Sequence, residues 1–400
     1  MAVQAWRPPR WPALTRDGLP VPEWASKRQV SLDNLKVVLV AWIIAVHAIL
    51  GYTGSIDVWS YTGVREVTLS PVLEAVMLLL LSPFGYVVIS LLFLLAGLLV
   101  PPSLARKGPG RFARDRLVRL GLPFAVYVLF VQPLVMYALE RPLGAATGSY
   151  WYEFLGKERQ IDTGPLWFVG VLLVFSLGYA GWVAVRRPPV RRVATEVTAR
   201  QLAVVAAVVA PLSFLVRLVY PYGSESGVTD LNLWEWPACI ALFAVGVVAS
   251  RRGWLVAVPE RLSRQCRATT LLAVAAMMIL LATVGVLDRV DDAMGGWHWP
   301  AAVFPVIESA LTVFGSVWLL GVAQRHLNRP LRWAGPAVRR SAYGAFMLQT
   351  PVLIGLAVTL RPVALPAEVK AVVVAAAGVV VTFALAWLLI RRVPVVARVL

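Results

Sequence analysis

Lys36 and His47 stand in SLDNLKVVLVAWIIAVHAILGY, residues 31–52, a stretch that from Leu35 onward reads as a membrane-crossing helix. Eleven residues of helix make three turns plus about 20°, so both side chains leave one face, about 16 Å apart along the axis. Asp33, three residues before Lys36, is placed to pair with it. Taken alone, Lys36 also fits an anchor that snorkels to the headgroups. His47 is different, because ionisable groups at that depth are rare and usually line a cavity. A neutral imidazole there can act as a general base towards a hydroxyl. It can equally serve as a hydrogen-bonded post between packed helices.

Other polar residues gather in patches. The stretch RKGPGRFARDRLVR carries Arg106, Lys107, Arg111, Arg114, Arg116 and Arg119 against one acid, Asp115. Such a cluster suits phosphates, and it also suits a topology determinant. Arg217, Glu235 and Glu308 fall in the outer halves of apolar runs. Charges at that depth pair or face a wet cavity, so they either line a chamber or fasten two helices. Tyr150, Trp151, Tyr152, Trp297 and Trp299 can stack on sugar rings or form an interfacial belt. There is no GxxxxGK[ST], GxGxxG, HExxH or CxxC in the chain. Three histidines set far apart argue against a metal site. The HxxxxD box of soluble acyltransferases fails at Tyr52.

The elements that must position these groups are membrane helices. The chain has 400 residues, 59% of them hydrophobic and 15% charged, with a mean hydropathy of +0.73. Soluble domains carry far more surface charge, and apolar runs of about 20 residues recur along the whole length. The expectation is an all-α polytopic protein with ten spanning helices, at 35–53, 84–102, 122–139, 165–185, 201–219, 234–250, 269–287, 301–323, 342–360 and 369–390. The segment Pro71 to Pro83 is apolar but short, with proline at both ends, and reads as a separate interfacial or re-entrant helix.

With both termini cytoplasmic, the inner side holds 30 of the 38 Lys and Arg and 6 of the 21 acidic residues. That asymmetry follows the positive-inside rule, so the net charge of +17 is explained by topology and not by nucleic-acid binding. One membrane domain is expected over 31–392, between a polar, Pro-rich, basic tail (1–30) and a short cytoplasmic tail (393–400). The first span reads as an uncleaved signal anchor, since no cleavable signal pattern precedes it. Cys239 in a span and Cys266 in a basic loop read as free thiols.

Four motifs in order resemble the acyltransferase-3 family of integral membrane acyltransferases. DNLKVVLVAWIIAVHAI looks like its Arg-X10-His span, with Lys36 in the arginine position. FLLAGLLVPPSLARKGPGRFARDRLVRLGLP resembles its Phe-rich run, small-residue pair, basic Arg-X-X-Arg loop and proline, here Phe93, Ala96, Gly97, Arg116, Arg119 and Pro123. GPLWFVGVLLVFSLGYA matches its Leu-Trp-Phe span, giving Trp167 and Phe168. SAYGAFMLQTPVLIG is similar to its late Ser-Tyr…His-X-Pro span, with Tyr343 retained and Gln349 where histidine is common.

The resemblance implies transfer of an acyl group, commonly acetyl from acetyl-CoA, to a hydroxyl of a sugar, cell-envelope glycan or secondary metabolite. His47 is then the catalytic base, and Lys36, Arg114, Arg116 and Arg119 hold the donor. Trp167, Phe168, Arg217, Glu235, Glu308, Tyr343 and Gln349 shape the cavity and acceptor side. Acyl-CoA is a co-substrate, and no permanently bound cofactor or metal is expected. The surroundings are the lipids of the plasma membrane. The offset between Lys36 and His47 matches an extended pantetheine arm, with phosphates at the inner mouth and the thioester at the imidazole. Two departures stand out: Lys36 lacks the guanidinium fork, and Gln349 cannot exchange protons. The rival reading is a multi-span transporter or flippase of an anionic metabolite using the same buried charges; paired repeats and matching broken helices, its usual marks, are absent from the sequence.

Overall fold

The computed structural model describes residues 30–55, 61, 65–141, 148–152, 162–186, 197–224, 230–254, 257–329 and 335–399. The N-terminal tail and the loop around Arg191 lie outside these. All regular structure among the described residues is helical. Ten helices are long and apolar enough to cross a membrane: α1 (Val30–Leu50), α2 (Pro71–Lys107), α3 (Pro109–Leu139), α4 (Gly164–Arg186), α5 (Ala199–Arg217), α6 (Leu233–Arg252), α7 (Glu260–Val286), α8 (Trp299–His326), α9 (Pro336–Leu360) and α10 (Ala367–Arg392). A backbone in lipid must satisfy its own N–H and C=O groups, and the helix is the form that does so within one segment.

Three boundaries differ from the sequence reading. The expected interfacial helix at 71–83 is instead the first part of α2, which runs unbroken through Pro83, Pro101 and Pro102. Proline removes one ladder bond, a loss that membrane helices tolerate; one residue before Pro83 the Ser82 hydroxyl adds a bond of its own, donating to the Leu78 carbonyl at 2.6 Å. The basic stretch from Arg111 to Arg119 is not a loop but the start of α3, an α-helical turn set (Pro109–Arg116) followed by a π-helical turn (Leu117–Gly121). Likewise α7 begins at Glu260, so Cys266 is buried in a helix; both cysteines are free thiols.

The most extensive helix contact joins α2 to α6. Glycine makes it possible. A Cβ on Gly97 would lie 2.2 Å from the Phe243 carbonyl oxygen, and one on Gly246 would lie 2.3 Å from that of Leu94. Membrane helices pack by such close small-residue approach because lipid supplies no hydrophobic drive between them. Around this pair, α1 packs on α9 and α10, α3 on α4, and α5 and α7 on α8. Asn34 ties the start of α1 down: its amide donates to the carbonyls of Leu327 (2.8 Å) and Arg329 (2.9 Å) and accepts from Arg339 Nη1 (3.3 Å).

Candidate functional site

His47 is where the helices converge. Val38 marks the exposed side of α1. At about 100° per residue, His47 and Lys36 lie on the opposite side of the helix. The ring meets α9: His47 Nδ1 and Gln349 Oε1 are 2.8 Å apart. An amide oxygen only accepts, so Nδ1 carries the proton, and in the neutral ring Nε2 is the basic nitrogen. Gln349 is fully buried, while His47 retains some accessible surface although it faces inward.

The turn of α9 that carries Gln349 is held from the other side. Thr350 Oγ1 and Tyr127 Oη are 2.6 Å apart, Tyr127 donates to Gln132 Oε1 at 2.7 Å, and Gln132 Nε2 donates to Asp162 Oδ2. Asp162 Oδ1 accepts from the Gly164 backbone at 2.7 Å. Tyr127 opens a π-helical turn, Tyr127–Val131, which lets it and Gln132 project into the same space. Gly164 takes φ +47, and a Cβ there would meet Tyr127 Oη and Gln132 Oε1 at 3.3 Å, so the site needs glycine on both counts. Sequence reasoning missed Tyr127, Gln132, Asp162 and Thr350. Single hydroxyl and amide groups in apolar runs give no signal until their partners are known.

Behind Gly164, with the Asn232 amide turned so that its oxygen faces the indole, Trp167 Nε1 donates to that oxygen (3.2 Å) and the amide nitrogen donates to Asp230 Oδ1 (3.0 Å). Phe168 stacks edge-on against Phe93 (centroids 4.7 Å) and faces Phe346 (6.1 Å), one turn before Gln349. Thus Phe93, Trp167 and Phe168, expected from separate motifs, form one aromatic wall that reaches α9 at Phe346.

The end of the bundle where α1 and α3 begin gathers basic residues. Lys36 Nζ lies 3.9 Å from Asp33, Lys107 pairs with Asp115, and Arg116 sits over the Phe112 ring at 4.9 Å. Arg114, Arg116 and Arg119 share the first turns of α3. Tyr343, expected on the acceptor side, is placed differently: its hydroxyl donates to the Arg119 carbonyl at 3.1 Å, tying α9 to the basic segment.

Arg217, Glu235 and Glu308 are also placed apart from His47. Arg217 Nη2 is 2.8 Å from both Glu308 carboxylate oxygens. Its guanidinium is surrounded by the rings of Tyr222 (5.3 Å), Trp234 (5.8 Å) and Phe304 (5.2 Å). Glu235, beside Trp234, is buried too. These groups come from α5, α6 and α8 and adjoin a second apolar cluster that includes Val87, Met277 and Phe304. His47 instead meets α9.

At the C-terminal end of α1 the chain doubles back into α2 as a strap. Leu69 N donates to the Tyr52 carbonyl (2.9 Å), and Glu74 accepts from the Gly54 (2.6 Å) and Ser55 (2.8 Å) backbones. Glu66 accepts from Lys370 (2.7 Å) and Tyr61 (2.6 Å), with Lys370 only 1% exposed. Burial pushes Tyr52 up to about 12 and lifts the Tyr61 hydroxyl well above the usual phenol range. Burial also pushes the Glu66 carboxyl up, but hydrogen bonds from Lys370 and Tyr61 outweigh it and hold the group below its ordinary value. A depressed carboxylate contributes stability above its unfolded pKa and loses it as pH falls through the folded value. The strap should therefore be unaffected from pH 7 down to about 4.5, the ordinary glutamate range, and loosen below it. Hydrogen exchange of segments 51–55 and 65–70, corrected for intrinsic rates, checks this. A Glu66→Gln variant should exchange faster at neutral pH, and the two proteins should converge in acid.

Ten apolar helices around a buried imidazole, with basic residues at one mouth, define a multi-pass membrane protein. The chain belongs to the acyltransferase-3 family: the family model Acyl_transf_3, described as an acyltransferase domain, matches residues 29–391. It is thus a membrane acyltransferase, and the match speaks for that reading over a transporter. No curated protein sequence and no solved structure matches the chain.

Proposed function

We propose that this protein moves an acyl group, acetyl in the simplest case, from acyl-CoA at the cytoplasmic side of the plasma membrane to a hydroxyl of a sugar, envelope glycan or secondary metabolite. The observation that carries the reading is the His47–Gln349 hydrogen bond of 2.8 Å, which holds the ring with Nδ1–H outward to the amide and Nε2 as the base. The acceptor hydroxyl gives its proton to Nε2 while its oxygen attacks the thioester carbon. Arg114, Arg116, Arg119 and Lys36 bind the donor's phosphates, and the wall of Phe93, Trp167 and Phe168 lines the path of the acyl arm. Arg217, Glu235 and Glu308 stand further out, as a chamber wall or as a fastener.

The test is acyl-CoA consumption by the purified full chain, read as free thiol. Arg119→Ala should raise the Michaelis constant for acetyl-CoA several-fold or more, since a charge-assisted hydrogen bond is worth about 1.5–3 kcal/mol. Lys36→Arg should bind donor as well or better, because it restores a fork. Unchanged donor affinity in Arg119→Ala would reduce the basic segment to a topology signal. The orientation has its own check: a cysteine placed at Gly148 should react with an impermeant reagent in intact cells, and one at Arg264 should not. The reverse pattern would put the donor mouth on the wrong side.

A further inference from the structure

Gln349 uses only half of its amide on His47. Oε1 takes the imidazole at 2.8 Å, whereas Nε2 is buried without a hydrogen-bond partner among the described residues. The residue is 0% exposed and sits in the middle of α9. Buried polar nitrogens are nearly always satisfied, so an orphaned donor beside a base marks a place where a ligand oxygen binds. The orphan is also held still. The next residue, Thr350, is likewise fully buried and fastened through Tyr127 and Gln132 to Asp162. An apolar side chain of similar volume would fill the position without leaving a donor unmet.

We propose that Gln349 is a second catalytic residue, whose Nε2–H meets the carbonyl oxygen of the acyl thioester as negative charge develops on it. This rests on the acyl-transfer reading above. In the reaction, the acceptor proton passes to His47 Nε2 as the acceptor oxygen bonds to the carbonyl carbon. The C=O π pair moves onto the carbonyl oxygen, where the Gln349 donor stabilises it. The tetrahedral intermediate then collapses, the C–S bond breaks, and the thiolate takes the proton back from His47. The products are an ester and a free thiol, and no proton is left over. One amide thereby sets the tautomer of the base through its oxygen and receives the oxyanion through its nitrogen. A glutamine at this position needs no proton exchange to do either.

Three proteins decide it: the full-length wild type, Gln349→Met and Gln349→His, each in lipid nanodiscs. Thiol release from acetyl-CoA is followed with water and glucose as probe acceptors, and binding is measured with S-ethyl-CoA, which has no carbonyl. Gln349→Met should lower kcat about 10²–10³-fold, the usual effect of deleting one oxyanion donor, and leave S-ethyl-CoA affinity essentially unchanged. Gln349→His, which offers both a lone pair and an N–H, should recover a large part of that loss. Met-variant turnover close to wild type would overturn the proposal. So would a His variant as slow as the Met variant with S-ethyl-CoA still bound. The parent reading fails separately. If wild type neither releases thiol nor binds S-ethyl-CoA, both fall; if His47→Ala is inactive and Gln349→Met is not, only this inference does.

Discussion

His47→Ala is expected to abolish most acyl transfer, by about 10²–10⁴-fold, the range of a positioned acid–base group. Expression and acyl-CoA affinity should hardly change. The expectation is this large because the ring is fixed on both sides: α1 carries it on the face opposite the exposed Val38, and Gln349 holds Nδ1 at 2.8 Å. The informative variant is His47→Gln. Glutamine keeps a hydrogen bond to Gln349 but cannot carry a proton at neutral pH. A histidine that only joins α1 to α9 would be replaced with little effect, whereas a base would not. Near-wild-type transfer by His47→Gln would refute the mechanism, whatever the donor turned out to be.

The largest stability effect should come from Glu308→Ala. Arg217 and Glu308 are 2% and 1% exposed, and their 2.8 Å pair lies among three aromatic rings. Removing the carboxylate strands a guanidinium in an apolar interior. Breaking a buried pair in this way costs about 3–5 kcal/mol, because the remaining charge has lost its ion-pair partner. Glu308→Ala should therefore lower the thermal midpoint sharply, with Arg217→Met doing so less. The double variant Arg217→Met with Glu308→Met should be more stable than Glu308→Ala alone, since no lone charge remains. Transfer activity in that double variant decides the role of the pair. Full activity makes it a fastener between α5 and α8, and selective loss at restored stability makes it part of the acceptor path. A Glu308→Ala protein that melts like wild type would contradict the buried pair itself.

Several features were legible from residue order because they depend on local chemistry. The Lys36–His47 register follows from helix geometry, and α1 runs as one helix through both residues. Free thiols at Cys239 and Cys266 were also readable. Element boundaries were less so. Proline at 83 and arginines from 111 to 119 suggested breaks, but α2 and α3 run through them. Local signals overstate the cost of one lost ladder bond in a long helix whose neighbouring turns stay bonded.

By itself, the sequence determined that the chain crosses the membrane about ten times and that it belongs with the acyltransferase-3 family. It also put an imidazole and a lysine on one face of α1. Each of these rests on hydropathy, helix periodicity or motif order, all of them short-range in the chain. Only the tertiary structure decided who meets whom: His47 with Gln349 across 302 residues, and Tyr127 with Thr350 across 223. It moved Tyr343 to the basic segment and set Arg217, Glu235 and Glu308 among α5, α6 and α8. The reason is the solvent. In lipid, the side of a helix that faces tails and the side that packs on a neighbour are both apolar, so the pattern of residues does not reveal which face is buried or against what.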